Sequence, residues 1–278
     1  MFKNKLRFRS VETLLHQAET VYNNTGYESM ALTSLSSGDH PHISELMTRL
    51  NARFGPRHVN ISLPSLRIDE KLAELPRLMK SVRKGGFTVA PEGGTEALRK
   101  IIRKPIKDVD LAATARAAFE EGWKHLKLYF MIGLPTERDD DVEAIADLAI
   151  RTWQQGRSIN PRARINLGVS TFVPKPFTPF QWAPQLHVDE TNRRQDILSD
   201  KLYKKGAIKF GRHDPEETFL EGLVSRSDRR AADLIQLAFE KGCRFDAWRE
   251  HLDFAAWMEA VDELGFDVDF ALRERELD

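Results

Sequence analysis

Two carboxylates, two cations and a set of glycines stand where short loops follow apolar runs in this 278-residue chain. They are Asp39 after Ser37-Gly38, Arg67 after Pro64-Ser65-Leu66, Glu92 before Gly93-Gly94-Thr95, Lys127 inside an apolar run, and Gly133 after Met131-Ile132. Asp39 and Glu92 can accept hydrogen bonds from an ammonium group or from ribose hydroxyls, and Arg67 and Lys127 can meet a carboxylate. The glycines permit close backbone approach, and helix starts just after the loops offer free N–H groups to an anion. The same residues also meet simpler demands: Gly38, Gly93 and Gly133 can serve turn geometry, Asp39 can cap a helix, and Lys127 can be an exposed strand residue. Glu92 is harder to assign to structure alone, since it directly follows a buried run and precedes two glycines.

The pattern around these loops is that of repeated strand-loop-helix units. Leu126 to Ile132 is almost continuously apolar and aromatic, as in a parallel strand covered on both faces, and Gly133 and Pro135 stop it. Thr136-Glu137-Arg138-Asp139-Asp140-Asp141 then starts a helix with carboxylates beside the positive end of its dipole. Strands are expected near 29–35, 58–63, 86–90, 125–132 and 164–172. The intervening helices carry Ile43, Leu46, Leu50 and Phe54, then Leu72, Leu75, Leu78 and Met79, then Ala97, Leu98, Ile101 and Ile102. Strands alternating with helices imply right-handed crossovers and one parallel sheet, either doubly wound or closing into a barrel. Ligands then bind outside the carboxyl ends of the strands, which gathers the five loops on one face. Neither a GxGxxG turn nor a GxxxxGK[ST] loop is present, which favours a barrel.

Beyond Trp182 the pattern becomes helical, so the expected division is a parallel α/β part over 1–182 and a mostly helical extension over 183–278. The aromatics Phe245, Trp248, Phe254 and Trp257 are expected in a core, and Arg226, Arg229 and Arg230 on a solvated face able to meet phosphate.

Composition narrows the classes of function. Lys plus Arg equals Asp plus Glu at 42 each, so no overall field draws the chain to nucleic acid or to an anionic membrane. No apolar run reaches the roughly 20 residues of a membrane span, and a cytoplasmic location is expected. The single cysteine, Cys243, excludes an internal disulfide and any site built within this chain from several thiolates. After Lys241-Gly242 it reads as a small packed side chain.

At the loops the sequence resembles the radical SAM superfamily. Leu35-Ser36-Ser37-Gly38-Asp39 is similar to that family's second-strand motif, which holds the methionyl amino group of S-adenosylmethionine. Glu92 with Gly93-Gly94-Thr95 falls where the fourth strand contacts the ribose and methionyl part. Met131-Ile132-Gly133-Leu134-Pro135-Thr136-Glu137 is similar to the fifth-strand stretch that lines adenine. The likeness extends to an uncharacterised bacterial branch with an upstream cobalamin-binding-like domain, through Leu63 to Arg67, Leu126 to Glu137, Arg212 to Pro215 and Phe245 to Trp248. It implies an incomplete TIM-type (β/α)6 barrel lacking its first strand, with S-adenosylmethionine as cofactor. It also implies a four-iron four-sulfur cluster, whose CxxxCxxC ligands are absent here and are expected on an upstream polypeptide. Two further readings stay open: a barrel remnant acting as a binding module, and an unrelated barrel lyase or hydrolase using Asp39, Glu92 or Glu137 as acid or base.

Overall fold

The computed structural model describes residues 7–34, 37, 40–62 and 86–273. The expected helix of Leu72 to Met79 and the site residues Gly38, Asp39 and Arg67 lie outside the described residues. The chain alternates strands and helices as its periodicity requires. Helix α1 (Val11–Thr25) is followed by β1 (Ser29–Ala31), α2 (Ile43–Phe54), β2 (Asn60–Ser62), β3 (Phe87–Glu92), α3 (Glu96–Ile101) and α4 (Asp108–Glu120). Then come β4 (His125–Ile132), α5 (Asp139–Ile159), β5 (Arg164–Thr171), α6 (Val188–Lys201), β6 (Ile208–Arg212), α7 (Pro215–Arg226), α8 (Ala231–Glu240), α9 (Phe254–Glu263) and α10 (Val268–Leu272). Ser10 caps α1 by accepting the Thr13 N–H, and Gly26 closes it in a left-handed conformation.

Every recorded ladder is parallel, in chain order, as the crossover argument requires. Among the described residues it falls into two pieces, β1 beside β2 and β3-β4-β5-β6. Burial alternates along the strands. Leu126, Leu128, Phe130 and Ile132 of β4, with Ile165, Leu167 and Val169 of β5, pack under Val142, Ile145, Ala146 and Ala149 of α5 in the larger core cluster. Lys127, Tyr129, Met131, Asn166, Gly168 and Ser170 point to the other, only partly buried face.

Strand β6 departs from the expectation of helices beyond Trp182. It pairs with β5 from Ile165↔Ile208 to Val169↔Arg212, and Leu198, Leu202 and Ile208 join the larger core cluster. The sheet therefore runs past residue 182. Ile208-Lys209-Phe210 is too short for its alternation to stand out between two charged segments, so it reads as part of the helical region.

The last four helices enclose a second cluster around Leu223, Leu234, Cys243, Trp257, Val261 and Leu272. Trp257 is buried there and Phe254 packs at its margin, but Phe245 and Trp248 are 72% and 61% exposed, against expectation. They sit in the turns between α8 and α9, where helical periodicity does not govern direction. Arg226 is likewise not on a solvated face: it is buried and donates to the carbonyls of Leu272 and Arg273 at 3.4 and 3.1 Å. No described helix is long and apolar enough to cross a membrane.

Candidate functional site at the carboxyl ends of β3 and β4

Strand β3 ends irregularly because Pro91 has no N–H to give to the ladder. Its register against β4 slips by one residue between Val89 and Glu92, which brings Glu92 opposite Phe130. Glu92 adopts φ 71°, a left-handed conformation uncommon for a side-chain-bearing residue, and its Oε1 accepts from Lys104 Nζ at 2.8 Å. The turn after it is pinned from below by Arg99. This side chain has no exposed surface and donates to the carbonyls of Gly93 (3.0 Å), Gly94 (3.2 Å) and Ile106 (2.7 Å), and to the Asp108 carboxylate. Thr95 caps α3 by accepting the Leu98 N–H at 3.2 Å.

Strand β4 ends at Gly133, whose φ of 84° only glycine adopts freely. Its N–H donates to Glu137 Oε2 at 2.5 Å, and the same oxygen accepts from Arg194 of α6 at 2.5 Å. The Glu137 side chain is wholly buried, and its Oε1 has no hydrogen-bond partner among the described residues. Burial pushes this carboxyl up to about 7, against the opposing pull of the Gly133 N–H and Arg194. Outside it, Glu190 bridges Arg193 and Arg194 at 2.7 Å each and is held down at about 2, with the Arg193 hydrogen bond as the main cause. Arg193 also grips Asp139 with two bonds of 2.8 and 2.7 Å, which locks α6 onto the start of α5.

The two turns meet at Asp141. Its Oδ1 accepts from Thr95 Oγ1 at 2.5 Å, its Oδ2 accepts the Arg138 N–H at 3.0 Å, and its carbonyl oxygen lies 2.0 Å from where a Cβ on Gly94 would stand. The structure thus brings Glu92, Gly93, Gly94 and Thr95 beside Met131, Ile132 and Gly133. Gly94 serves helix packing here, and a Cβ on Gly133 would meet Leu186 at 2.9 Å. Ile132 turns its side chain into the core and its carbonyl accepts the Phe172 N–H, whereas Met131 looks onto the open face.

Two expected residues are placed elsewhere or engaged internally. Lys127 lies near the amino end of β4, five residues or about 17 Å before Ile132, and its stem crosses Gly86 at the foot of β3. Ser37 is buried and its hydroxyl donates to the Leu32 carbonyl at 3.2 Å and meets Ser34 Oγ at 3.1 Å. Sequence reasoning did not single out Arg99, Asp141 or Arg194. Arg99 carries a weak signal, a charge beside Leu98 on a helix that otherwise has room for an apolar side chain, while the Asp139-Asp140-Asp141 run hides which member caps.

A parallel α/β sheet with this pair of adjoining turns defines a class, and comparison gives it a family. The profile of the radical SAM superfamily matches residues 1–149, and the chain belongs to that superfamily. It is 30% identical over 229 residues to an uncharacterized protein of Methanocaldococcus jannaschii, an alignment covering 82% of this chain and 48% of that protein. The chain thus spans about half the length of the curated relative it matches.

The superfamily generally uses S-adenosylmethionine and a four-iron four-sulfur cluster. The residues present do not fit the cluster. Cys243 is the sole cysteine of the chain and is buried in the second core cluster, where desolvation raises its thiol pKa. No group of three or more His, Cys, Asp or Glu able to hold a metal occurs among the described residues. At the neighbouring ends of β3 and β4 the Glu92 carboxylate and the Met131 side chain are half-exposed.

Proposed function

We propose that this chain is the nucleoside-holding part of a radical SAM enzyme, over a TIM-type barrel portion running from residue 1 past 182 to the end of β6. The observation that carries this is the junction of the β3 and β4 turns at Asp141, because those are the strand ends at which the family binds ribose and adenine. In this reading Glu92 receives ribose hydroxyls or the methionyl ammonium, with its backbone turn preset by Arg99. Met131 and the backbone of Ile132 and Gly133 flank adenine, in a turn preset by Glu137. Ser37, Gly38 and Asp39 take the methionyl amino group and Arg67 its carboxylate, while Lys127 stands on the open face near the amino end of β4. The cluster thiolates come from another polypeptide carrying a CxxxCxxC loop, which is also where a cobalamin-binding-like domain belongs. The location is the cytoplasm.

A second reading, a binding module without redox chemistry, is favoured by the burial of Cys243 away from both turns. One experiment separates the two. A polypeptide bearing the CxxxCxxC loop is added, iron and sulfide are supplied anaerobically with a reductant, and 5′-deoxyadenosine is measured. Formation of 5′-deoxyadenosine that falls at least tenfold with Glu92→Ala supports the enzyme reading. No product from a complemented, folded protein leaves the binding module.

A further inference from the structure

At the amino ends of β4 and β5, the edge of the sheet opposite to the turns just described, the structure opens a cleft of about 490 Å³. Lys124 and His125 enter it from the start of β4, Arg157 from the last turns of α5, and Arg162 and Arg164 from the approach to β5. No aspartate or glutamate lines it.

Four permanent cations are gathered around this one cleft with no acid in its lining. Several arginines elsewhere are matched with acids: Arg49 with Glu12 and Glu45, Arg53 and Arg57 with Glu19, Arg193 and Arg194 with Glu190. Lys124, Arg157, Arg162 and Arg164 are exposed and enter no ion pair among the described residues. Like charges collected in this way repel one another unless an anion sits among them. The positions are also set by structure. Arg157 lies over the Trp153 ring with its Cζ 5.8 Å from the centroid, which orients the guanidinium without neutralising it. The backbone N–H of Arg164 donates to the Lys124 carbonyl at 2.9 Å, and that of Arg162 to Asn160 Oδ1 at 2.9 Å.

The cationic line continues from the cleft onto the open face. One alternation beyond His125 is Lys127, and one beyond Ala207 is Lys209. Both pair in register with Asn166, which places the two lysines about 10 Å apart across a single strand. Carboxylate ligands rarely need so many cations in so small a volume. Successive phosphates do, and the planar fork of arginine matches them with paired hydrogen bonds.

We infer that this cleft binds a ligand carrying several phosphate groups in succession, held by Lys124, Arg157, Arg162 and Arg164. The ligand is either a single-stranded nucleic-acid backbone or a free oligophosphate. The inference is independent of S-adenosylmethionine binding, since it concerns the opposite end of the sheet.

The test uses the full chain with two probes, a fluorescent ten-nucleotide oligouridylate and inorganic tripolyphosphate, by anisotropy and by competition. At least one probe should bind saturably at low salt. With the oligouridylate, log K should fall with log salt with a slope of about −0.7 per phosphate engaged, so near −2 to −3 for this set. The double variant Arg162→Glu/Arg164→Glu should weaken binding at least tenfold, and the milder Arg162→Gln about threefold. Arg244→Glu, an exposed arginine of the helical part, should change it by less than twofold. Circular dichroism checks folding, and the milder variant decides if the double variant unfolds. Oligouridylate that tripolyphosphate cannot displace identifies a nucleic-acid strand, and tighter tripolyphosphate identifies a free oligophosphate. Absence of saturable binding by both probes, or equal losses in the cleft variants and Arg244→Glu, overturns the assignment.

Discussion

Glu137 accepts the N–H of Gly133, four residues before it, at 2.5 Å and so closes the turn after β4 with a side chain that has no exposed surface. The turn is therefore held by an ionisable group, and its strength follows pH. The folded carboxyl titrates at about 7, above its ordinary 4.5, with burial as the main cause. Between those two values the folded chain holds a proton that the unfolded chain has released, so this group makes the protein less stable as pH rises from about 4.5 to 7. The full effect is of order 3 kcal/mol. Denaturant titrations of the wild type and Glu137→Gln from pH 4.5 to 8 should show the wild type losing stability relative to the variant over that window. A wild type that gains instead means that the Arg194 ion pair outweighs burial.

Arg99 supports the other turn. Replacing it with leucine leaves the carbonyls of Gly93, Gly94 and Ile106 without their donor and removes a partner of Asp108. Loss of a buried charged donor of this kind costs about 3–5 kcal/mol. Urea unfolding of Arg99→Leu should show a fall in that range, and Arg99→Lys should recover little, because one ammonium cannot reach carbonyls on three sides. A loss below about 1 kcal/mol would mean that the turn stands without Arg99.

Two glycines separate packing against backbone from packing against a side chain. A Cβ on Gly94 would stand 2.0 Å from the Asp141 carbonyl oxygen, and one on Gly168 would stand 2.8 Å from the Tyr129 ring, which is 45% exposed. The ring can swing aside and the carbonyl of a helix cannot. Gly94→Ala should therefore destabilise by about 2–3 kcal/mol and Gly168→Ala by no more than about 1 kcal/mol. Thermal unfolding of both variants checks the order, and the reverse order would mean that the two turns are not tied at Asp141.

The strands of the sheet were legible because alternation and apolar runs are local properties. Leu126 to Ile132 and Arg164 to Thr171 declare themselves by composition, and Gly133 marks the end of the first. β6 was not, since five residues between charged helices carry too little pattern. At the site, Glu92 and Gly133 were legible from their position after strands. Asp141 and Arg194 were not, because their partners are distant in sequence: Thr95 and Asp141 are 46 residues apart, and Glu137 and Arg194 are 57 apart. Arg99 was not either, since its partners, though only 5 to 9 residues away, are mostly backbone carbonyls that no residue type announces. The direction of Lys127 was equally out of reach. A strand residue's side is set by parity, but its height along the strand relative to the loops emerges only once the register is fixed.

The central claim is that the joined turns after β3 and β4 hold the nucleoside, and amide hydrogen exchange of the full chain with millimolar S-adenosylmethionine tests it most directly. Without the cluster the affinity should be weak, hence the millimolar ligand, about −4 kcal/mol of binding. The account predicts slowed exchange over 92–95 and 131–133, with no change around Arg162 and Arg164 at the opposite end of the sheet. Unchanged exchange at both turns at saturating ligand, or protection confined to the amino-end cleft, would contradict it.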